Sequence, residues 1–178
     1  MDKKYLTQGN IISLIASLVI LYALILLLKN GISFALSDTF IVIMTIIWVM
    51  SIPSFISYVK SKLDKPFILK YSALIAIVIT FIGLIFAYMR DFLGIELIVL
   101  GYIFEPIAGI SIYLTTLKLA KLYSSLFFWG AVIFTIGLPL FLVNLGIVAI
   151  LGDIVKMIGI VMLIVVMVKK PTAISKKD

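Results

Sequence analysis

The run Gly101-Tyr102-Ile103-Phe104-Glu105-Pro106-Ile107-Ala108-Gly109 lies in the middle of an apolar stretch reaching from Gly94 to Leu117. As a helix rising about 1.5 Å per residue, a stretch of that length crosses about 30 Å of hydrocarbon. At its centre stands a carboxylate, Glu105, with a proline directly after it and a glycine four residues away on either side. A charge at that depth costs about 2.5–3.5 kcal/mol on insertion-type scales. Such a residue faces the protein interior and takes a partner.

The same apolar texture recurs outward from this stretch. Hydrophobic residues make up 64% of the 178, against about 45–50% in soluble domains. Apolar runs separated by short polar turns fall at about 11–28, 39–59, 68–89, 94–117, 123–143 and 145–168. The sequence therefore predicts an all-α, polytopic membrane protein. It is a bundle of six transmembrane helices, with one integral membrane domain over 1–178. Lys3 and Lys4 ahead of the first run, with Ala35-Leu36-Ser37 after it, loosely match a signal peptide. That run is longer than a signal h-region of about 7–15 residues, so it reads as a retained helix.

The distribution of charge sets the expected orientation. Twelve lysines fall at one set of helix ends: Lys3, Lys4, Lys60, Lys62, Lys65, Lys70, Lys118, Lys121, Lys169, Lys170, Lys176 and Lys177. Two basic residues, Lys29 and Arg90, fall at the other. Lysines concentrated in short loops mark the cytoplasmic side, so both termini are expected there, in a cell-membrane protein. The net charge of +7 thus reflects topology, and nucleic acid is not an expected partner. Tyr5, Tyr58, Tyr71 and Tyr123 near the inner lysines, and Tyr88 and Phe92 at an outer end, read as interfacial anchors.

The chain has neither cysteine nor histidine. This excludes disulfides, thiolate metal sites and histidine acid–base chemistry, and no cofactor or metal is expected. No Gly-x-Ser-x-Gly elbow, His-Glu-x-x-His helix or phosphate loop occurs. Gly152-Asp153 is similar to the Gly-Asp dipeptide of intramembrane aspartyl proteases. That chemistry needs a second facing aspartate, however, and Asp38 lies at a loop boundary. No enzyme is expected.

Three ionisable residues fall well inside the spans: Glu105, Asp153 and Lys156. Glu105 precedes Lys118 by thirteen residues, and Lys156 precedes Lys169 by the same number. Both spans run from outside to inside, so the two charges share a depth near the midplane, with Asp153 one turn farther out. Residues three or four apart share a helix face. Glu105 is flanked by Gly101, Tyr102, Ala108 and Gly109, and Lys156 by Gly152, Asp153, Gly159 and Ile160. Small residues let helices approach closely in lipid, so spans four and six are expected to pack side by side, with Glu105 against Lys156.

Pro106 cannot donate to the Tyr102 carbonyl. The freed carbonyl, the tyrosine hydroxyl and Glu105 would make a proton or cation site. Two acids share one base, so neutrality requires one further proton or cation. Elsewhere, Thr45, Trp48, Ser51, Ser54 and Ser57 form a loose polar spiral on span two. Gly130 and Gly137 suggest close packing of span five, and Pro139 a kink near its outer end. Gly31-Ile32, Gly94-Ile95 and Gly146-Ile147 recur at the outer turns. Leu36 and Asp38 also align with Leu151 and Asp153, which hints at a repeated helical hairpin.

The expected function is a small transporter or transport subunit whose coupling site is Glu105, Lys156 and Asp153. Tyr102, Pro106, Gly101, Gly109, Gly152 and Gly159 shape that site. Its partners are the lipid bilayer and a small solute or ion, as a homo-oligomer or with other membrane subunits. The alternative is a structural or assembly subunit whose charges only fix helix packing.

Overall fold

Asp2 opens the first helix, its side chain accepting the Lys4 N–H at 3.0 Å, a standard use of a short acid at an N-cap. The computed structural model describes residues 1–169. It contains helices α1 (Lys3–Asn30), α2 (Asp38–Lys60), α3 (Pro66–Tyr88), α4 (Leu93–Leu117), α5 (Lys121–Gly137) and α6 (Ile147–Lys169). Short 3-10 turns, Ile32–Leu36 and Pro139–Val143, follow α1 and α5. No strand occurs among the described residues. Lys170, Pro171, Lys176 and Lys177 lie outside them.

Five of the six helices are long and apolar enough to cross a membrane, and α5, with 17 residues, is shorter. A single fifth span over 123–143 was the expectation, because its apolar character runs unbroken through Pro139. The structure instead ends the α-helix at Gly137 and continues as a 3-10 turn. Pro139 has no N–H for the Thr135 carbonyl. The Thr135 and Phe134 carbonyls are taken by the Leu138 N–H, at 3.3 and 3.1 Å. Pro53 and Pro106, by contrast, lie inside continuous helices.

α1 starts eight residues before the expected 11. Leu6 is fully buried and Gly9 lies against the Tyr58 ring, so the basic entry segment belongs to the bundle. α1 packs on α2 and α6 and is built into the fold.

Successive helices are neighbours, and α6 returns to α1, which closes a ring. The most extensive contacts join α3 with α4, α5 with α6, and α1 with α2, giving three helical hairpins. The Asp38 and Asp153 positions are not equivalent within them. Asp38 starts α2 at the surface, beside Arg90, whereas Asp153 is buried in α6.

The outer surface is apolar, unlike that of a water-soluble bundle. Ile15, Leu18, Val42, Val49, Val78 and Phe81 face outward, while Asn10, Ser17, Ser111, Ser124, Asp153 and Lys156 are buried. The buried core is itself largely apolar, so what suits a lipid environment is the apolar outer surface together with polar groups kept inside. The helices are consistent with a membrane-embedded protein.

Two clasps hold opposite ends of the ring. The α2–α3 connection is tied to α4 through Asp64 N–H to Thr115 (2.8 Å), Ser111 to the Lys65 carbonyl (2.8 Å) and Lys118 to Asp64 (2.6 Å). At the other end, Arg90 binds both Asp38 and the Leu36 carbonyl. Arg90 adopts a left-handed backbone at φ 61° in this tight turn.

Candidate functional site

The seat of Lys156 is made by glycines. Along the antiparallel α5–α6 contact, Gly130 faces the Lys156 backbone, Gly137 faces Ala149, Gly152 faces Phe134, and Gly159 faces Phe127. A Cβ at any of the four would run into the opposing backbone. Heptad spacing on both helices keeps these contacts in one line.

This corrects the expected packing. The small-residue face of α6 is spent on α5, and Gly101 of α4 is pressed against Thr80 and Ala76 of α3. Spans four and six therefore do not lie side by side; α5 stands between them in the ring. Glycine marks where a helix is approached, but does not say by which neighbour.

The charges meet nonetheless, because lysine is long. Lys156 Nζ lies 3.1 Å from Glu105 Oε1 and 2.9 Å from Asp153 Oδ1. It also sits 4.4 Å from the centroid of the Phe134 ring, whose face attracts a cation. The equal-depth argument from residue counts thus holds, and Asp153 stands one turn along α6 as expected.

The two carboxylates differ in surroundings. The Asp153 side chain is 0% exposed and that of Lys156 2%, whereas that of Glu105 is 36% exposed. Neither Asp153 oxygen has an aligned hydrogen bond among the described residues, although the Ser17 side chain lies beside it. Its 2.9 Å approach to Lys156 is an ion pair without hydrogen-bond alignment. Glu105 accepts a formed hydrogen bond from Lys156.

Glu105 and Lys156 both line a cavity of about 210 Å³ inside the ring, to which every helix contributes. Tyr102 lines it too, with its ring edge-on to Phe134 at 5.4 Å. The carbonyl that Pro106 leaves free is not available to a ligand, however. Thr135 of α5 donates its hydroxyl to the Tyr102 carbonyl at 3.3 Å. Pro106 thus removes one bond within α4, and a side chain on α5 replaces it.

Thr135→Val is expected to leave that carbonyl unsatisfied and lower stability by about 1–3 kcal/mol. Chemical unfolding in detergent measures this. An unchanged midpoint would mean the bond contributes nothing.

Several groups at the cavity were not singled out in the sequence. Ser13 and Ser17 of α1 line it, and with Asn10 they make a polar face at three- and four-residue spacing within an apolar run. That spacing was the available signal. Tyr58, expected as an interfacial anchor, is buried and turns inward. Its hydroxyl donates to Asn10 Oδ1 at 2.8 Å and lies 3.1 Å from Ser13 Oγ, which is itself 2.9 Å from Ser54. Tyr71 and Tyr88 are exposed. Of the polar spiral on α2, Trp48, Ser51 and Ser54 reach the cavity. Ser57 bonds the Pro53 carbonyl, and Thr45 bonds the Ile41 carbonyl and Tyr88.

No protein family, curated protein or solved structure matches this chain. What the cluster does has to follow from its own chemistry. Among the described residues, no three His, Cys, Asp or Glu side chains gather as metal ligands. The site offers instead one ammonium between two carboxylates, one of them facing open space.

Proposed function

We propose that this chain is a small proton- or cation-linked transporter or transport subunit, with the central cavity as its solute chamber and Glu105, Lys156 and Asp153 as its coupling group. The chain crosses the cell membrane six times, the fifth crossing being α5 together with the 3-10 turn after it. Both termini are cytoplasmic. That orientation rests on the lysines grouped at one set of helix ends.

The observation that supports transport most is the asymmetry around Lys156. A charge cluster that only fixes helix register has no need of an adjoining cavity. Here Glu105 is 36% exposed while its partner is buried, and a cavity adjoins it. With no histidine in the chain, the carboxylates are the groups through which protonation would be exchanged.

Purified protein in liposomes, with a pH-sensitive dye inside, tests this reading under imposed gradients of inorganic and organic monovalent cations. At least one gradient is expected to drive proton movement in the wild type. Glu105→Gln should reduce it to the rate of empty liposomes. Equal rates in wild type and variant would defeat the transport reading.

The full burial of Lys156 and Asp153 favours a second reading, a structural or assembly subunit in a homo-oligomer or with other membrane subunits. That role predicts tolerance of the exchanged pair Glu105→Lys with Lys156→Glu, and a stoichiometric partner on mild extraction. It assigns no enzyme activity, and neither does the transport reading.

A further inference from the structure

We infer that the cavity binds an organic monocation with an apolar body, and that Glu105 is its counter-ion; this names the solute class for the transport reading and rests on it. The first ground is a count of charges. Among the described residues, Lys156 is the single ammonium within ion-pair distance of both Glu105 and Asp153, so two carboxylates share one positive charge. A second positive charge, proton or cation, completes the set. An anionic solute would instead meet an ammonium that already serves two acids.

Position says where the second charge enters. Asp153 is sealed, whereas Glu105 is open to the cavity. The other acid can then take over the lysine. Asp153 lies 2.9 Å from Lys156 Nζ with no aligned hydrogen bond to either oxygen, its polar neighbours being this ammonium and the Ser17 side chain, so it can accept the ammonium more fully when a solute cation claims Glu105.

The walls choose the kind of cation. A bare metal ion needs about six oxygen ligands to replace its water. Here the Tyr102 carbonyl is already bonded to Thr135, the Ser13 hydroxyl to Ser54 and Tyr58, and the Ser51 hydroxyl to the Trp48 carbonyl, and most of the lining is hydrocarbon and aromatic. Trp48, Tyr58, Tyr102, Phe104 and Phe127 all border the space. Ring faces attract quaternary or substituted ammonium groups, whose own carbon shell replaces hydration.

Benzyltrimethylammonium and its uncharged isostere neopentylbenzene, in which carbon replaces the nitrogen, test the charge requirement directly. The readout is Trp48 fluorescence in a Trp129→Phe background, in nanodiscs. Trp48 borders the cavity, whereas Trp129 faces outward. The cation is expected to change the signal saturably and to bind about tenfold or more tighter than the isostere, the scale of a dehydrated cation–aromatic and counter-ion contact.

Glu105→Gln should abolish binding. Asp153→Asn should weaken it by a similar factor although Asp153 never touches the solute, because Lys156 would then fully neutralise Glu105. Equal binding of both probes, no response to either, or unchanged cation binding in a folded Asp153→Asn protein would each overturn the inference. If that variant does not fold, the comparison of the two probes on the Trp129→Phe protein decides alone. Proton movement driven by inorganic cation gradients would leave the transport reading standing even if this solute class failed.

Discussion

Lys156→Met is expected to destabilise the bundle by about 3–5 kcal/mol, the range for a buried ion pair that loses one member. Methionine keeps much of the lysine's apolar stem, so lost packing is a small part of the effect. The cost comes from the two acids left behind. Asp153, with no aligned hydrogen bond among the described residues, would lose its counter-charge in a fully buried position. Glu105→Gln should be far milder, because Lys156 keeps Asp153 at 2.9 Å and the new amide stands partly open to the cavity. Unfolding midpoints in mild detergent separate the two variants. Equal losses would mean that Asp153 does not hold the lysine, and the charge count at the site would be wrong.

The second large effect belongs to the α5–α6 contact. Gly152→Val should cost at least the roughly 1–3 kcal/mol typical of overpacking, and should sit at the top of that range. The obstacle is the backbone of Phe134, which cannot rotate away as a side chain can. The helices must separate, and α6 carries both Asp153 and Lys156, so solute binding and stability should fall together. Gly109→Ala provides the contrast. The nearest atoms to its added methyl are Phe127 ring carbons at 3.7 and 3.8 Å, ordinary contact distances. It is expected to be near neutral in thermal unfolding, and a large loss there would show that the α4–α5 packing is tighter than described.

Much of this was legible in the sequence, for identifiable reasons. Helix number and approximate bounds followed from apolar run length, which reflects what a bilayer demands of a helix. The meeting of Glu105 and Lys156 followed from counting residues back to Lys118 and Lys169. Neighbour relations did not follow. Gly152 and Gly159 announce close approach, but any helix offering a smooth surface satisfies them, and α5 does so with its own Gly130 and Gly137. Pro139 marked a kink near the outer end of span five, but a missing N–H does not say whether the helix bends or stops, and here the α-helix stops at Gly137. Tyr58 looked like an anchor because a lysine follows it two positions on. Only the fold reveals Asn10 and Ser13 waiting on α1.

Gly130 lies tight against the backbone of Lys156, and this fixes how the ammonium can travel. With its main chain clamped, the lysine can trade Glu105 for Asp153 by turning about its own side-chain bonds while both helices stand still. Such a swivel is quicker than any rocking of helices. On the transport reading proposed above, occupancy of the cavity would thus be relayed through a single pivoting arm, and any slower opening motion would have to read that arm's position.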